Sequence, residues 1–428
     1  MNFNSKPIQV FLLLFMFSSW GQAVDAKDVR PQEEPLAIFL TWTDDPLRTI
    51  SIDWHLTSSD KQVLYYRLKG TDDWKKSESR VHDFPYSDRK IHRVALKGLT
   101  PRHNYEIKFG EDAQVYYFRT MPEDISEEPL RIAIGGDSMH DQAFMEKTNR
   151  QVASYDPHFA VIGGDLAYAN ALEKNLDRWY QWFDAVKNTL IMEDGRIIPL
   201  VLGIGNHEVL SGSFSRHEDF KFDDESRAKI APYYYNLFAF PGQPGYGVLD
   251  FGEYLSFFLL DSDHTNPIDG VQKEWFRREL AIRNEQTHII PLYHVPAYPS
   301  VRDFNGTSQS RVREHWLPMI EKAGVKLVFE NHDHAYKRTY PLKNNEIHQD
   351  GVVYIGDGSW GTNPREVHDA ATTWYLEKSQ SIRAFTLVTL QGSAFNIISV
   401  DEDGNVIDTY PANPLDNKQA PWKLESLH

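Results

Sequence analysis

The stretch Phe159-Ala160-Val161-Ile162-Gly163-Gly164-Asp165-Leu166-Ala167-Tyr168 runs four apolar residues straight into a glycine-rich turn that carries a carboxylate. A short apolar run bounded by turn residues predicts a buried strand. Glycines at its end let the backbone approach an ion or a phosphate closely. Twenty-eight positions upstream of Asp165, Gly136-Asp137-Ser138 repeats the pattern after the apolar run 130–134. A helical pattern over 143–155 lies between the two. That interval suits one strand–helix–strand unit and places Asp137 and Asp165 at neighbouring strand ends.

Working outward, the same order continues. Buried strands are expected at 197–204, 254–260, 289–293, 327–329 and 352–355, and helices at 176–186, 271–282 and 311–323. Alternating strands and helices predict an α/β domain. Three of these strands also run into chemistry: Gly205-Asn206-His207-Glu208, Tyr293-His294-Val295-Pro296 and Asn331-His332-Asp333-His334-Ala335-Tyr336. Ligands of open α/β sheets bind beyond the carboxyl ends of strands, so five separate stretches can meet at one site. Carboxylates, imidazoles, an amide and a phenol are donors that suit iron, manganese or zinc. Closing strands are expected at 385–390, 395–400 and 406–410, with Asp403-Gly404-Asn405 as a hairpin turn.

Toward the amino terminus the grammar changes. Runs at 36–43, 49–55, 63–69, 91–96, 104–109 and 115–119 are rich in β-formers and separated by turns, which predicts an all-β sandwich over 27–122. The acidic stretch 123–129 reads as a linker, 130–415 as the α/β domain and 416–428 as a tail. Residues 1–26 read as a cleaved secretory leader, with a positive start at Lys6 and an apolar run over 10–17. That run is shorter than the roughly 20 residues that span a bilayer. A secreted or periplasmic protein without a stable membrane span is therefore expected.

The 428 residues carry no cysteine and a net charge of −16. Disulfides, thiolate metal sites, iron–sulfur clusters, a cysteine nucleophile and a lipoprotein anchor are excluded. The acidic balance argues against nucleic acid as a partner.

The ordered set of five motifs resembles the calcineurin-like metallophosphoesterases, and within them the purple acid phosphatases. Tyr168, three residues after Asp165, is the mark of that branch. The segment from Leu99-Thr100-Pro101 to Thr120 resembles a fibronectin type III module, which also fits the branch. The resemblance implies a four-layer α-β-β-α sandwich with a dimetal site at its strand ends. It implies that Asp137, Tyr168 and His334 hold a first ion, Fe(III), and that Asp165 bridges to a second. Asn206, His294 and His332 would complete the second site, for iron, zinc or manganese. His207 would donate a hydrogen bond or proton to the substrate. The implied activity is that of an acid phosphatase, in which a metal-activated hydroxide attacks a phosphate monoester. Monomer and homodimer are both compatible with the sequence.

Alternatives stay open: a phosphodiesterase of cyclic nucleotide or glycerophosphodiester type on the same ions, or a non-catalytic surface-binding protein. His140, His264, Arg311 and Lys337 are candidates for substrate contacts, with Arg313, Arg338 and Arg365 behind them. Glu208 or Asp263 is the candidate carboxylate beside His207. Two departures from the family pattern stand out. Asn331 replaces a glycine, and asparagine tolerates the left-handed turn that a glycine would allow there. Plant members carry a histidine pair after the fourth motif, whereas 297–310 has no histidine.

Overall fold

A strand buried on both faces sends successive side chains into different layers. In the strand Leu130–Gly135, Leu130, Ile132 and Ile134 enter an inner core and Ala133 an outer one. Phe159–Ile162 divides the same way, with Phe159 and Val161 inward and Ala160 and Ile162 outward. His288–Leu292 sends Ile290 and Leu292 to the same inner core and Ile289 to a third cluster. Leu327–Glu330 repeats this with Leu327 and Phe329 against Val328. Two sheets therefore share one inner core, and each has its own outer core.

These relations come from a computed structural model that describes Met1 and residues 34–411 except Asp357. Apart from Met1, the expected leader 1–26 lies outside the described residues, as does the tail 416–428.

The first sheet runs in the order Leu200–Leu202, Phe159–Ile162, Leu130–Gly135, Ala384–Gln391, Ala394–Asp401 and Val406–Tyr410. Its first three strands are parallel and the rest antiparallel. The second runs Gly247–Phe251, Leu255–Leu259, His288–Leu292, Leu327–Glu330, Val353–Gly356, Tyr336–Thr339 and Leu376–Gln380. Helices Gln142–Ser154 and Leu176–Thr189 cover the first sheet through Met145, Val152, Trp179, Trp182 and Phe183. Helices Val271–Ile282, Thr307–His315 and Leu317–Lys322 cover the second through Phe276, Leu280, Val312, Leu317 and Ile320. The result is the four-layer α-β-β-α sandwich.

One helix expected over 311–323 is two. The break falls at Trp316, because Pro318 lacks the N–H needed to continue the ladder and sits in the first turn of the second helix. Among the strands that escaped the sequence are Lys75–Glu78, Arg80–Asp83, Gly247–Phe251, Tyr336–Thr339 and Leu376–Gln380.

Residues 37–119 form two four-stranded antiparallel sheets, ordered Ala37–Thr41, Ile50–Leu56, Lys90–Leu96, Arg80–Asp83 and Lys75–Glu78, Val63–Leu68, Asn104–Lys108, Tyr116–Arg119. Aromatic contacts fasten them to the α/β layers. Phe39 lies 6.0 Å from Phe183 and 5.7 Å from Phe238, and fully buried Trp42 meets Phe159 and Phe251 edge-on. Backbone bonds add to this: Tyr117 N–H donates to Gly195 O and Ile197 N–H to Tyr117 O.

Strand register aligns the ends that carry the motifs. Ile162 pairs with both Gly135 and Leu202, and Leu292 pairs with Phe329. The residues just past those positions leave the sheets on one edge.

Candidate metal centre

On that edge the backbone turns sharply. Asp137, Asp165, Tyr168, His332 and His334 all have positive φ, at 56°, 52°, 55°, 80° and 58°. Residues other than glycine rarely adopt this conformation, and each instance costs on the order of 1–3 kcal/mol. Five such residues at one place mark a site whose geometry outranks local comfort. Asn331, which could have taken a left-handed turn, is not among them; His332 takes the turn instead. The Asn331 amide fills space that Gly136 and Gly163 leave open, where any added Cβ would collide with it.

The side chains converge as two groups joined by Asp165. Asp137, Asp165 and His334 form one and Asp165, His294 and His332 the other, with the donor atoms of each group within 4.8 Å of one another. Asp137 Oδ1, His334 Nε2 and the Tyr168 hydroxyl stand 3.0 Å apart pairwise. Neighbouring donors around a six-coordinate ion with bonds of about 2.1 Å are spaced by about 3 Å, so this triangle fits an ion's coordination face. In the second group, His294 Nε2 is 3.2 Å from Asp165 Oδ2 and 3.1 Å from His332 Nδ1. Asp165 Oδ2 and Asn206 Oδ1 are buried without a hydrogen-bond partner. Buried acceptors of that kind are costly unless something else binds them. The residues present therefore fit a pair of cations.

Electrostatics agree. Burial pulls the Asp165 carboxyl up, but His294, His207 and His332 together hold it well below its ordinary value. Burial opposes the charge on His294, yet Asp165 and Asp137 raise it to about 9. Burial, then the charges of Asp137 and Asp165, push the Tyr168 phenol well above its usual range. A cation beside that oxygen reverses the balance, since a metal favours the deprotonated donor.

Neighbouring groups orient these donors. His294 Nδ1 bonds Gly163 O, and His332 N–H donates to Asp137 Oδ2. Glu208 is fully buried; its carboxylate accepts the N–H groups of Gly205, Asp165 and Leu166, tying the second and third loops together. It is thus not the partner of His207. Asp263 is not either, because Arg311 and Ser308 occupy it. The partner is Asn170, whose Oδ1 meets His207 Nδ1. That bond leaves His207 Nε2 facing the site, 3.9 Å from Asp165 Oδ2, with the side chain 31% exposed. Nothing in the sequence singled out Asn170, which lies two residues past Tyr168 at φ 55°.

The outer candidates divide. The His140 ring packs edge-on against Tyr168 and His334, at 4.5 and 5.1 Å. His264 is buried 5.4 Å from the His294 ring. Both lie beside the centre. Arg311 and Lys337 do not serve as free phosphate contacts. Arg311 is spent on Asp263 and Asp269, and Lys337 is fully buried against Glu330 and Tyr298 O. Buried or partly buried ammonium and guanidinium groups require such partners. Arg313 likewise serves the carbonyls of Ala297 and Phe304, and Arg338 serves Asp408 and Glu377. Arg365 remains near the centre, its N–H donating to His334 O. Arg302, unnoticed in the sequence, reaches the second group: its Nη1 donates to His332 O.

Two family models match the chain: "Purple acid Phosphatase, N-terminal domain" over residues 35–120 and "Calcineurin-like phosphoesterase" over 130–336. Among curated proteins, "Purple acid phosphatase 21" of Arabidopsis thaliana is 24% identical over 64% of this chain and 60% of its own length. An uncharacterised protein of Mycobacterium tuberculosis is 25% identical over 59% of this chain and 51% of its own. The chain spans about three fifths of the length of the plant relatives it matches. The structure of purple acid phosphatase PPD1 from yellow lupin (Lupinus luteus) seeds shares the fold, with a TM-score of 0.72 at 18% identity, over 87% of this chain and 73% of that one.

Proposed function

We propose that this chain, which belongs to the purple acid phosphatase-like calcineurin-like phosphoesterases, is a dimetal phosphohydrolase acting on phosphate monoesters outside the cytoplasm. The carrying observation is the convergence of buried and half-buried donor residues from five strand ends on two adjoining groups that share Asp165, with Asp165 Oδ2 and Asn206 Oδ1 unpartnered.

Asp137, Tyr168 and His334 would hold the first ion, proposed as Fe(III), with Asp165 between the two. Asn206, His294 and His332 would hold the second, proposed as iron, zinc or manganese. When bound, such a pair supplies Lewis acidity toward phosphoryl oxygens and a water acidified to near-neutral pKa. The protein's own task is positioning and charge complementarity, the main source of catalysis in phosphoryl transfer. Asn170 Oδ1 accepts from His207 Nδ1, so in the imidazolium form Nε2 is the atom left to carry a proton to the leaving oxygen. Glu208 fixes the spacing of the Asp165 and Asn206 loops by binding three N–H groups. The apolar cores behind the centre keep it from reorganising.

Metal analysis of the purified protein, with parallel turnover of a monoester and a diester, tests the reading. The expected result is iron plus a second metal near one equivalent each, a visible tyrosinate–iron band lost in Tyr168→Phe, and faster monoester turnover. A colourless, iron-free, fully active protein overturns the iron assignment. A well-folded but metal-free, inactive protein overturns the enzyme. Faster diester turnover replaces the substrate class.

A further inference from the structure

The segment 297–310 lacks the histidines that its resemblance would lead one to look for, yet it contains Arg302. This residue is held by an unusual anchor. Asp333, between the ligand candidates His332 and His334, is fully buried. Its Oδ2 accepts the N–H groups of Val301 and Arg302, at 2.7 and 3.2 Å, and its Oδ1 accepts Arg302 Nη1 at 3.0 Å. The same Nη1 donates to His332 O at 3.0 Å. From behind, His368 bonds Arg302 O. The guanidinium is thereby locked against the loop that carries His332.

Its remaining edge is free. Nε and Nη2 make no hydrogen bond among the described residues, and the side chain is 30% exposed. Arg311 and Arg338, by contrast, spend both terminal nitrogens on carboxylates. A guanidinium stays charged at all working pH values and offers planar paired donors that match phosphoryl oxygens. It cannot surrender a proton, so its use is binding rather than acid catalysis.

We propose that Arg302, positioned by Asp333, is a substrate-binding residue that grips a non-bridging oxygen of a phosphate monoester at this centre. The assignment rests on the phosphohydrolase reading above. A monoester has three non-bridging oxygens and a diester two. Were two of those oxygens to face the pair of cations that the site would hold, only the monoester would keep one for Arg302. The residue thus selects monoesters over diesters.

The test compares metal-loaded wild type, Arg302→Ala and Arg302→Lys. The substrates are p-nitrophenyl phosphate and bis(p-nitrophenyl) phosphate, and inorganic phosphate is titrated calorimetrically. Arg302→Ala is expected to lower kcat/KM for the monoester by roughly 10- to 100-fold and to weaken phosphate binding comparably, as loss of a charged hydrogen bond does. The diester is expected to change less than about threefold, well short of what such a bond is worth. Exposed Arg277→Ala serves as a control with unchanged values. If Arg302→Ala does not fold, Arg302→Lys, which keeps a cation for Asp333 without the planar fork, carries the same comparison. Unchanged phosphate affinity overturns the proposal, and equal losses on both esters overturn the selectivity. If wild type hydrolyses neither ester, the functional reading falls while the phosphate titration still decides Arg302.

Discussion

Two of the buried polar clusters among the described residues are built on opposite plans. Around Asp408, every valence is filled: Arg338 Nε, Lys378 Nζ and the Tyr336 hydroxyl donate to it, and Arg338 also reaches Glu377. No residue of that cluster has positive φ. Around Asp165, buried acceptors stand unfilled and the backbone is left-handed at five places. Burial of charge is common to both, so burial alone does not mark function. The unfilled oxygens and the strained turns do.

The comparison breaks most sharply under amide substitution. Asp165→Asn is expected to cut turnover by on the order of 10³-fold, since it removes the one carboxylate shared by both groups. It is also expected to abolish the rise in Tm that added metal gives wild type, because only binding to the folded state produces that rise. Differential scanning calorimetry with and without metal checks this. Asp408→Asn is expected to do the converse. It weakens the pairing of a buried guanidinium and lowers unfolding free energy by about 3 kcal/mol, measured by urea titration, while metal content and the metal-induced rise persist. A smaller effect sharpens the contrast inside the site. Asn170→Ala is expected to lower kcat about 10-fold, as losses of orienting neighbours do, with poor leaving groups suffering more than aryl phosphates. Equal losses on both would remove His207 from proton delivery.

The smallest effect is in acid. Burial raises the Asp408 carboxyl, but the hydrogen bonds from Arg338, Lys378 and Tyr336 outweigh it and hold it below its ordinary value. Its unfolded value is about 3.9. The stability it contributes is whole above that pH and is lost as pH falls through the lower folded value. Wild type is therefore expected to lose stability below about pH 4 more steeply than Asp408→Asn, as read from Tm against pH.

The sequence announces the Asp165 cluster and conceals the Asp408 cluster for one reason. A ligand loop is local: Gly163-Gly164-Asp165 carries its strand, its turn and its donor within a few residues. A satisfied ion pair is not local. Nothing near Arg338 says that Asp408 and Glu377 await it, and nothing in the seven positions between Glu330 and Lys337 says that the chain doubles back to pair them, so both cations read as phosphate candidates when they are partners in a strand. Arg311 misled in the same way, because Asp263 and Asp269 lie more than 40 positions upstream. Arg302 went unseen for the opposite reason, since one arginine in a loop resembles any other until Asp333 pins it. The Lys75–Glu78 and Arg80–Asp83 strands escaped because charged, exposed edge strands lack apolar alternation.

Glu208 has a consequence for how such a chain is rebuilt. Its carboxylate clasps N–H groups from the Asp165 loop and from its own, so those loops form a single inheritable cassette. A chimera that grafts a misfitting second loop onto this third loop leaves a buried carboxylate with one of its three backbone donors, Gly205 N–H. Grafting works only if the two strand ends travel together, although they lie about forty positions apart in sequence.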